Sequence, residues 1–328
     1  MNRDVVVVTG ASAGVGRAVV REFARRGARI GLIARGIDGL EGAKREAEEL
    51  GGEAIIARAD VANYDEVEAA AQRVEDAFGP IDIWINNAMA SVFAPIHELT
   101  AAELRRVTEV TYLGVAYGTM IALRRMRERD RGTIVQVGSA LAYRGIPLQA
   151  AYCAAKHAIQ GFNDSLYAEL LHDRSNVRLT MVNLPAINTP QFDWVLNKLP
   201  RRGQPVPPIF QPEVAADAIV WAAYHDRREL NVGWPTTKAV IGNNLVPAIA
   251  DRYLAKHGYE SQQTQEPETP DRPHNLWEPL PGDHGAHGRF DAQAKPTSLH
   301  LLMNLHRTPL LLAGACAVVG IALLRRGS

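Results

Sequence analysis

A tyrosine and a lysine stand four residues apart in the run Tyr152-Cys153-Ala154-Ala155-Lys156. On a helix this spacing places both side chains on one face. A nearby ammonium group favours a phenolate, so Lys156 is expected to lower the pKa of Tyr152 from its ordinary value of about 10. A tyrosine of this kind can exchange a proton near neutral pH. Ser139 precedes the pair at the end of a predicted strand, the edge of a parallel sheet where ligands bind.

A second candidate site is the glycine-rich run at residues 9–16, TGASAGVG, which joins the first predicted strand to the first predicted helix. Glycines permit a tight turn and a close approach of the backbone to a pyrophosphate. The helix N-terminus adds free N–H groups and a partial positive charge. The run therefore predicts a dinucleotide-binding loop, the alternative being a glycine-rich turn without a ligand.

Arg35 is the first charged residue after the apolar part of the second predicted strand, and no acid precedes Asp38. An acid at this place would hold the ribose 2′-hydroxyl of NAD, whereas an arginine can pair with a 2′-phosphate. Arg35 therefore favours NADP(H) over NAD(H), and the competing interpretation is an exposed loop arginine.

Alternating strands and helices from residue 4 to about residue 257 must position these groups. Such alternation predicts an α/β fold: a Rossmann-type, doubly wound parallel sheet of about seven strands with helices on both faces, followed by a C-terminal extension. The predicted strands are 4–9, 28–34, 54–59, 81–86, 133–137, 177–183 and 229–233. The predicted helices are 14–26, 40–50, 65–78, 101–128, 150–172 and 213–224.

Taken together, these motifs resemble the classical short-chain dehydrogenase/reductase family over residues 4–257. The resemblance implies that Tyr152 exchanges the proton at the substrate oxygen and that Ser139 hydrogen-bonds this oxygen. It implies that Lys156 binds the nicotinamide ribose and lowers the pKa of Tyr152. The remaining cofactor contacts that it implies are Thr9, Gly10, Ser12, Gly14, Val15, Gly16, Arg35, Asp60, Val61, Asn87, Ala88 and Thr189.

Three positions depart from the family pattern. Met89 and Ala186 stand where the family usually has glycine, after Asn-Asn-Ala and after Pro185 respectively. Thr111 occupies the place of the asparagine that completes the family's catalytic tetrad. That asparagine is thought to hold a water through its backbone carbonyl, which threonine also has, so Thr111 is kept as a fourth candidate catalytic residue.

The substrate side should be shaped by residues 140–149, 185–190 and the insertion 191–212, which mixes apolar side chains with proline and arginine. Such loops form lids over apolar clefts. An apolar lid favours a lipid-like, steroid-like or aromatic carbonyl. The alternative is that these side chains pack on the domain or on a neighbouring subunit.

Composition bounds the partners and the compartment. The 36 Lys and Arg balance the 36 Asp and Glu, which argues against a nucleic-acid-binding protein. Cys153 and Cys316 form no disulfide framework, and no signal peptide is evident, so a cytoplasmic catalytic domain is expected. The histidines within 283–287 match no standard set of metal ligands, and no metal is expected.

The last 70 residues differ from the rest. Residues 258–298 carry six prolines and few large apolar residues, which predicts a linker or an extended arm. Residues 299–328 are expected to hold an apolar helix, and 309–324 is an uncharged run of 16 residues. A helix of that length spans about 24 Å, slightly short of a hydrocarbon core of about 30 Å. The run predicts a membrane anchor or, alternatively, a helix packed on protein.

The sequence thus predicts an NADP(H)-dependent oxidoreductase that transfers a hydride between the nicotinamide and an apolar carbonyl or alcohol. Relatives usually form dimers or tetramers, so a homo-oligomer is expected. The alternative function is a non-catalytic dinucleotide-binding scaffold or sensor attached to a membrane.

Overall fold

The computed structural model describes residues 3–306, and the seven predicted strands are present within a few residues of their predicted bounds, together with four short strands that were not predicted. In chain order they are β1 (Val5–Thr9), β2 (Arg29–Ala34), β3 (Glu53–Arg58), β4 (Ile83–Asn86), β5 (Val92–Phe93), β6 (Gly132–Ser139), β7 (Val177–Leu184), β8 (Leu196–Asn197), β9 (Arg201–Gly203), β10 (Glu229–Asn231) and β11 (Gln263–Pro267).

Seven of these strands form one parallel sheet in the order β10-β7-β6-β4-β1-β2-β3. The order reverses between β1 and β4, the point at which doubly wound sheets bind their ligands. The short strands form two further pairs, β5 with β8 and β9 with β11. The predicted fold class is confirmed.

The α-helices cover both faces of this sheet. They are α1 (Gly14–Arg25), α2 (Ile37–Glu49), α3 (Tyr64–Phe78), α4 (Ala101–Thr108), α5 (Gly114–Arg127), α6 (Ala150–His172), α7 (Gln191–Trp194), α8 (Pro212–Tyr224), α9 (Gly233–Leu245), α10 (Pro247–His257) and α11 (Leu299–Leu305).

Strand β1 shows why the sheet is covered on both faces. Its side chains alternate between two hydrophobic cores: Val6 and Val8 pack with helices α1 and α8, and Val5 and Val7 pack with the core beneath α3 and α5. All four are buried, so a run of β-branched residues is satisfied on both sides.

Two predicted elements differ from the structure. The helix predicted over 101–128 is divided into α4 and α5 by a π-helical turn at Glu109–Leu113, where Gly114 N–H donates to the carbonyl of Glu109. Residues 233–257 form the two helices α9 and α10, which the sequence analysis did not predict. Their apolar residues follow no clear period, and much of the surface of both helices is exposed.

The C-terminal extension begins with an arm, residues 258–298, that packs over the domain. Its strand β11 pairs with β9, and Leu276 and Phe290 are buried. Ser298 then caps α11, which ends at Leu305. Within residues 3–306, no helix is long and apolar enough to cross a membrane. The predicted anchor at 309–324 lies outside the described residues.

A buried polar network ties β4 and β6 to α5. Trp84 Nε1 donates to Asn86 Oδ1 at 2.8 Å, and Asn86 Nδ2 donates to Gln136 Oε1 at 2.9 Å and to Thr119 Oγ1 at 3.0 Å. Gln136 Nε2 also donates to Thr119 Oγ1, at 2.8 Å, and this hydroxyl donates to the carbonyl of Val115. A single threonine oxygen therefore accepts from two buried amides.

We expect Thr119→Val to destabilise the fold because it leaves two buried N–H groups without their acceptor. An unsatisfied buried donor costs about 1–3 kcal/mol. The control is Thr108→Val, whose hydroxyl makes one exposed hydrogen bond to the carbonyl of Leu104. Urea denaturation should show a large loss for the first variant and under about 0.5 kcal/mol for the control. Equal losses in both would contradict the role of the network.

Candidate active site

A cleft of about 440 Å³ opens at the carboxyl edge of the parallel sheet. Its walls come from the loops after β1, β2, β3, β4, β6 and β7, so groups far apart in sequence meet there. The predicted site residues that line it are Gly10, Ser12, Gly14, Val15, Arg35, Asp60, Val61, Asn87, Ala88, Ser139, Tyr152, Lys156 and Thr189. Its volume lies in the range of small-molecule sites.

The loop after β1 is held by hydrogen bonds from the loop after β4. Thr9 Oγ1 accepts from the backbone N–H groups of Asn87, at 2.9 Å, and Ala88, at 3.1 Å. Asn87 Nδ2 donates in return to the carbonyl of Thr9 at 2.9 Å. The hydrogen bonds of Thr9 and Asn87 therefore fix the conformation of the loop after β1.

Two glycines of this loop are required by its geometry. Gly10 has φ +68°, and a Cβ there would lie 2.9 Å from the Cα of Ala88. Gly16 allows α1 to pass so close to the loop that a Cβ would overlap the carbonyl of Gly10. The glycine spacing thus serves a tight turn and close helix packing, as dinucleotide loops require.

The N-terminus of α1 opens toward the cleft. Within the described part of the chain no side chain caps it, so the first amides of the helix are left for other acceptors. Gly14 N–H donates to the carbonyl of Gly285 in the arm at 3.0 Å. The uncapped turn at Val15 and the glycine cradle fit the pyrophosphate of a dinucleotide.

Arg35 lies at the far end of the cleft and is bound by the arm. Its Nη1 donates to the carbonyl of Trp277 and its Nη2 to the carbonyl of Asn275, both at 2.6 Å. These partners lie more than 200 residues away in the sequence and leave no local signal. Burial is the main influence that lowers the pKa of Arg35, and the neighbouring cation Arg106 lowers it further.

Asp60 and Val61 follow β3 and also line the cleft. The Asp60 carboxylate pairs with Arg106 Nη2 at 2.5 Å and accepts from the N–H of Ala62 at 3.0 Å. Val61 is buried against Gly114, whose missing side chain leaves it room. Arg106 was not singled out from the sequence, because an arginine within a polar helical stretch gives no local signal.

The structure brings Ser139, Tyr152 and Lys156 together at the inner end of the cleft. Ser139 ends β6 beside Tyr152, and its hydroxyl accepts from the N–H of Leu141 at 3.1 Å. Lys156 follows Tyr152 by one turn of α6; its Nζ lies 5.5 Å from the centre of the tyrosine ring and donates to the carbonyl of Val137 at 2.7 Å. Lys156 is almost fully buried.

The pKa of Tyr152 is raised, opposite to the lowering expected from the sequence. Burial raises the pKa of Tyr152 well above its usual value, and the neighbouring Ser139 hydroxyl opposes this only in part. Burial also lowers the pKa of Lys156 to about 8. Both shifts arise because a protein interior disfavours the charged form, a phenolate in one case and an ammonium in the other.

Thr111 lies in the π-helical turn between α4 and α5 and is fully buried. Its Oγ1 accepts from the N–H of Ala90 and donates to the carbonyl of the same residue, both at 2.9 Å. The side chain therefore fixes the loop after β4. Thr111 does not line the cleft, and its role in proton transfer stays a prediction.

Apolar side chains form part of the cleft wall. Phe192 and Trp194 of the insertion line it together with Leu141, Leu184 and Ile187. Other apolar residues of the insertion pack inward as a small core with Phe93, Leu148 and Phe290, namely Val195, Leu199 and Ile209. The insertion therefore combines both predicted roles, lining a cleft and packing on the domain.

Arg17 is the most informative site residue that the sequence analysis missed. It is 1% exposed and donates to the carbonyls of Ser12 and Gly39, to Glu46 at 2.8 Å and to Asp283 at 3.2 Å. One buried guanidinium thus joins the cofactor loop, α2 and the arm. The available signal was a charged residue directly after the glycine motif.

Cys153 and His287 are two further side chains that could carry thiol or metal chemistry. Cys153 is buried, which raises the pKa of its thiol. His287 bridges Glu213 at 2.9 Å and Asp291 at 2.8 Å.

We expect the burial of Lys156 to make stability depend on pH. From about pH 8 to 10.5 the unfolded chain holds a proton on this lysine that the folded chain has lost, so stability rises with pH in that window. Replacing Lys156 with methionine should remove this increase, which amounts to roughly 3 kcal/mol in the free energy of unfolding.

Urea denaturation at pH 7.5 and pH 10.5 measures this difference between wild type and Lys156→Met. The exposed Lys238→Met is the control and should keep the wild-type pH dependence. An identical pH dependence in wild type and Lys156→Met would show that burial does not lower the pKa of this lysine.

Comparisons with known proteins agree with this geometry. A family model described as short chain dehydrogenase matches residues 4–198. An uncharacterized oxidoreductase of Bacillus subtilis, YxnA, is 32% identical over 271 residues, 81% of this chain and 76% of that protein. The cis-4-hydroxycyclohexanecarboxylate dehydrogenase of Sinomonas cyclohexanicum is 36% identical over 225 residues, 67% of this chain and 88% of that protein.

A solved structure has the same fold. The X-ray structure of an alcohol dehydrogenase from the archaeon Thermococcus sibiricus, complexed with 5-hydroxy-NADP, superposes with a TM-score of 0.61. The two proteins are 27% identical, and the match covers 70% of this chain and 95% of the other. The family model covers more than half of the chain. The protein therefore belongs to the short-chain dehydrogenase/reductase family, a family of oxidoreductases that use a nicotinamide dinucleotide.

Proposed function

We propose that this protein is an NADP(H)-dependent oxidoreductase that transfers a hydride between the nicotinamide and an apolar carbonyl or alcohol substrate. The observation that carries the proposal is the convergence of Ser139, Tyr152 and Lys156 on the cleft that also holds the dinucleotide loop. Tyr152 stands close to both the serine and the lysine, as acid/base chemistry at a substrate oxygen requires.

Tyr152 is assigned the acid/base role at the substrate oxygen. Its phenol carries a proton at neutral pH, which it can donate to a carbonyl oxygen. Ser139 lies beside the phenol and orients the same oxygen. When bound, the dinucleotide supplies or accepts the hydride. Lys156, held by the carbonyl of Val137, is placed to bind the nicotinamide ribose, and a protonated lysine would ease deprotonation of Tyr152 in the oxidative direction.

Cations at the far end of the cleft support NADP(H) as the cofactor. Arg35 follows β2, and Arg58 ends β3 with its Nε donating to the carbonyl of Arg35 at 2.9 Å. Two of the five N–H donors of Arg35 are used by the arm, which leaves others for a 2′-phosphate. The 5-hydroxy-NADP of the archaeal neighbour is consistent with this choice.

Apolar walls support a substrate with an apolar body. Phe192, Trp194 and Ile187 line the cleft, and Gln149 and Gln204 add amide groups to its lining. The dehydrogenase from Sinomonas cyclohexanicum, named for a cyclic alcohol, fits a cleft of this character. We therefore place the substrate among cyclic, aromatic or lipid-like carbonyls and alcohols.

The proposal includes two further features. A homodimer or homotetramer through α4, α5 and α6 would cover the exposed side chains of Leu104, Met120 and Leu171. Attachment to a membrane through 309–324 stays a prediction of the sequence alone.

We expect Tyr152→Phe to lower kcat by about 10²- to 10⁴-fold, the usual contribution of an acid/base group. Binding of NADPH should change little, because only a hydroxyl is lost. The matched control is Tyr143→Phe, whose phenol hydrogen-bonds Gln160 and Glu229 outside the cleft. NADPH oxidation across a panel of cyclic, aromatic and aliphatic carbonyls measures turnover, and fluorescence titration measures binding.

Full turnover by Tyr152→Phe would overturn the catalytic assignment. A wild-type protein that binds NADPH but reduces or oxidises no member of the panel would favour the alternative function, a dinucleotide-binding scaffold or sensor.

We expect Arg35→Ala to raise the Kd for NADPH roughly 10- to 100-fold, because hydrogen bonds to charged groups contribute about 1.5–3 kcal/mol. The Kd for NADH should change much less. Arg45→Ala, an exposed arginine on α2, is the control. Titration of all three proteins with both cofactors separates the cases. An equal loss for NADPH and NADH would mean that Arg35 acts through the arm and not on a 2′-phosphate.

A further inference from the structure

The arm contacts the predicted dinucleotide site at three separate places. These places follow β2, β1 and β7, three different strands of the parallel sheet. Residues 275–288, the strap, make these contacts. The family model ends at residue 198, so the strap lies outside the part of the chain that it matches.

The first contact lies at the predicted adenosine end. The carbonyls of Asn275 and Trp277 accept from Arg35, and Leu276 between them is completely buried. The carbonyl of Leu276 accepts from Arg106 Nε at 3.0 Å, and Arg106 also holds Asp60. The strap therefore completes this end of the cleft together with the loops after β2 and β3.

The second contact lies at the predicted pyrophosphate loop. Asp283 accepts from both terminal nitrogens of the buried Arg17 at 3.2 Å. Gly42 on α2 has no side chain, which leaves room for the Asp283 carboxylate. On either side of Asp283, Gly282 N–H donates to Asp38 Oδ2 at 2.6 Å, and the carbonyl of Gly285 accepts from Gly14.

The third contact lies at the predicted nicotinamide end. Gly288 packs so closely on the backbone of Thr189 that a Cβ would overlap its carbonyl. Just beyond the strap, Phe290 N–H donates to Asn188 Oδ1 at 3.0 Å, and the Phe290 ring is buried beside Phe192. This end of the strap is thus attached to the loop that carries Thr189.

We propose that the strap is a built part of the cofactor site, which closes over the bound dinucleotide and slows its release. A dinucleotide lying between Arg35, the loop after β1 and Thr189 follows the same path as the strap, so exchange requires the strap to move. The proposal rests on the proposed function, since it needs a dinucleotide in this cleft.

The contacts are compatible with a closed strap and a bound cofactor at the same time. Arg35 keeps three N–H donors after binding two carbonyls, and the first turn of α1 keeps further amides after Gly14. The strap fixes the orientation of Arg35 in advance, which favours binding. Closure and binding therefore stabilise each other, and this coupling must be reciprocal.

Asp283→Ala tests the proposal, because it removes the carboxylate that holds the strap to Arg17. Stopped-flow fluorescence should show NADPH dissociating at least about 10-fold faster than from wild type, as expected for the loss of a charge-assisted pair. The matched control, Glu266→Ala, removes an exposed acid of the same arm that contacts Arg202 and Arg289. Its dissociation rate should stay within about 2-fold of wild type.

Limited trypsin digestion of the wild-type protein tests the reciprocal effect and does not depend on any variant folding. Saturating NADPH should slow cleavage after Arg289, which directly follows the strap, with a concentration dependence that matches the Kd. An unchanged cleavage rate, or faster cleavage, would overturn the proposal.

The remaining outcomes separate this proposal from the proposed function. Unchanged or slower NADPH dissociation in Asp283→Ala overturns the strap while leaving the enzyme assignment intact. A wild-type protein that binds neither NADPH nor NADH overturns the proposed function, and the strap proposal with it.

Discussion

The carboxyl ends of the parallel strands lie at one edge of the sheet, and this constraint decides the rest of the structure. Right-handed crossovers place each strand's end beside its neighbours', so residues scattered from Gly10 to Thr189 reach one cleft. The order reversal between β1 and β4 leaves a gap above the sheet into which the glycine loop opens. Thr9 and Asn87 join the two strand ends across that gap. The cleft is therefore a consequence of topology, and the loops supply only its chemistry.

Burial at the inner end of this cleft has opposite effects on two neighbouring side chains. It holds Tyr152 as a neutral phenol and weakens the hold of Lys156 on its proton, because both charged forms are poorly solvated there. The same low polarity strengthens the hydrogen bond from Lys156 to the carbonyl of Val137, which holds the lysine in place.

Buried arginines connect the catalytic domain to its C-terminal arm. Arg17 and Arg106 each bind both a cofactor-site loop and the arm, and a buried guanidinium needs acceptors that the domain alone does not fully supply. The arm supplies them as a carboxylate and as backbone carbonyls. A segment with few apolar residues can therefore pack on the domain, with Leu276 and Phe290 as its main buried apolar side chains.

The sequence by itself determined the parallel sheet, the cofactor loop and the Tyr152–Lys156 pair, because each depends on local spacing: strand period, glycine positions and one helical turn. It also identified the apolar run at 309–324. Only the tertiary structure decided the path of the arm, whose contacts join residues 242 and 266 positions apart and leave no local pattern. The direction of the pKa shift of Tyr152 was likewise decided in three dimensions, since burial and the exact partner of Lys156 depend on packing. Spacing reveals which side chains can share a face of a helix or strand. Burial and long-range packing determine the charge state of each side chain and the residues that it contacts.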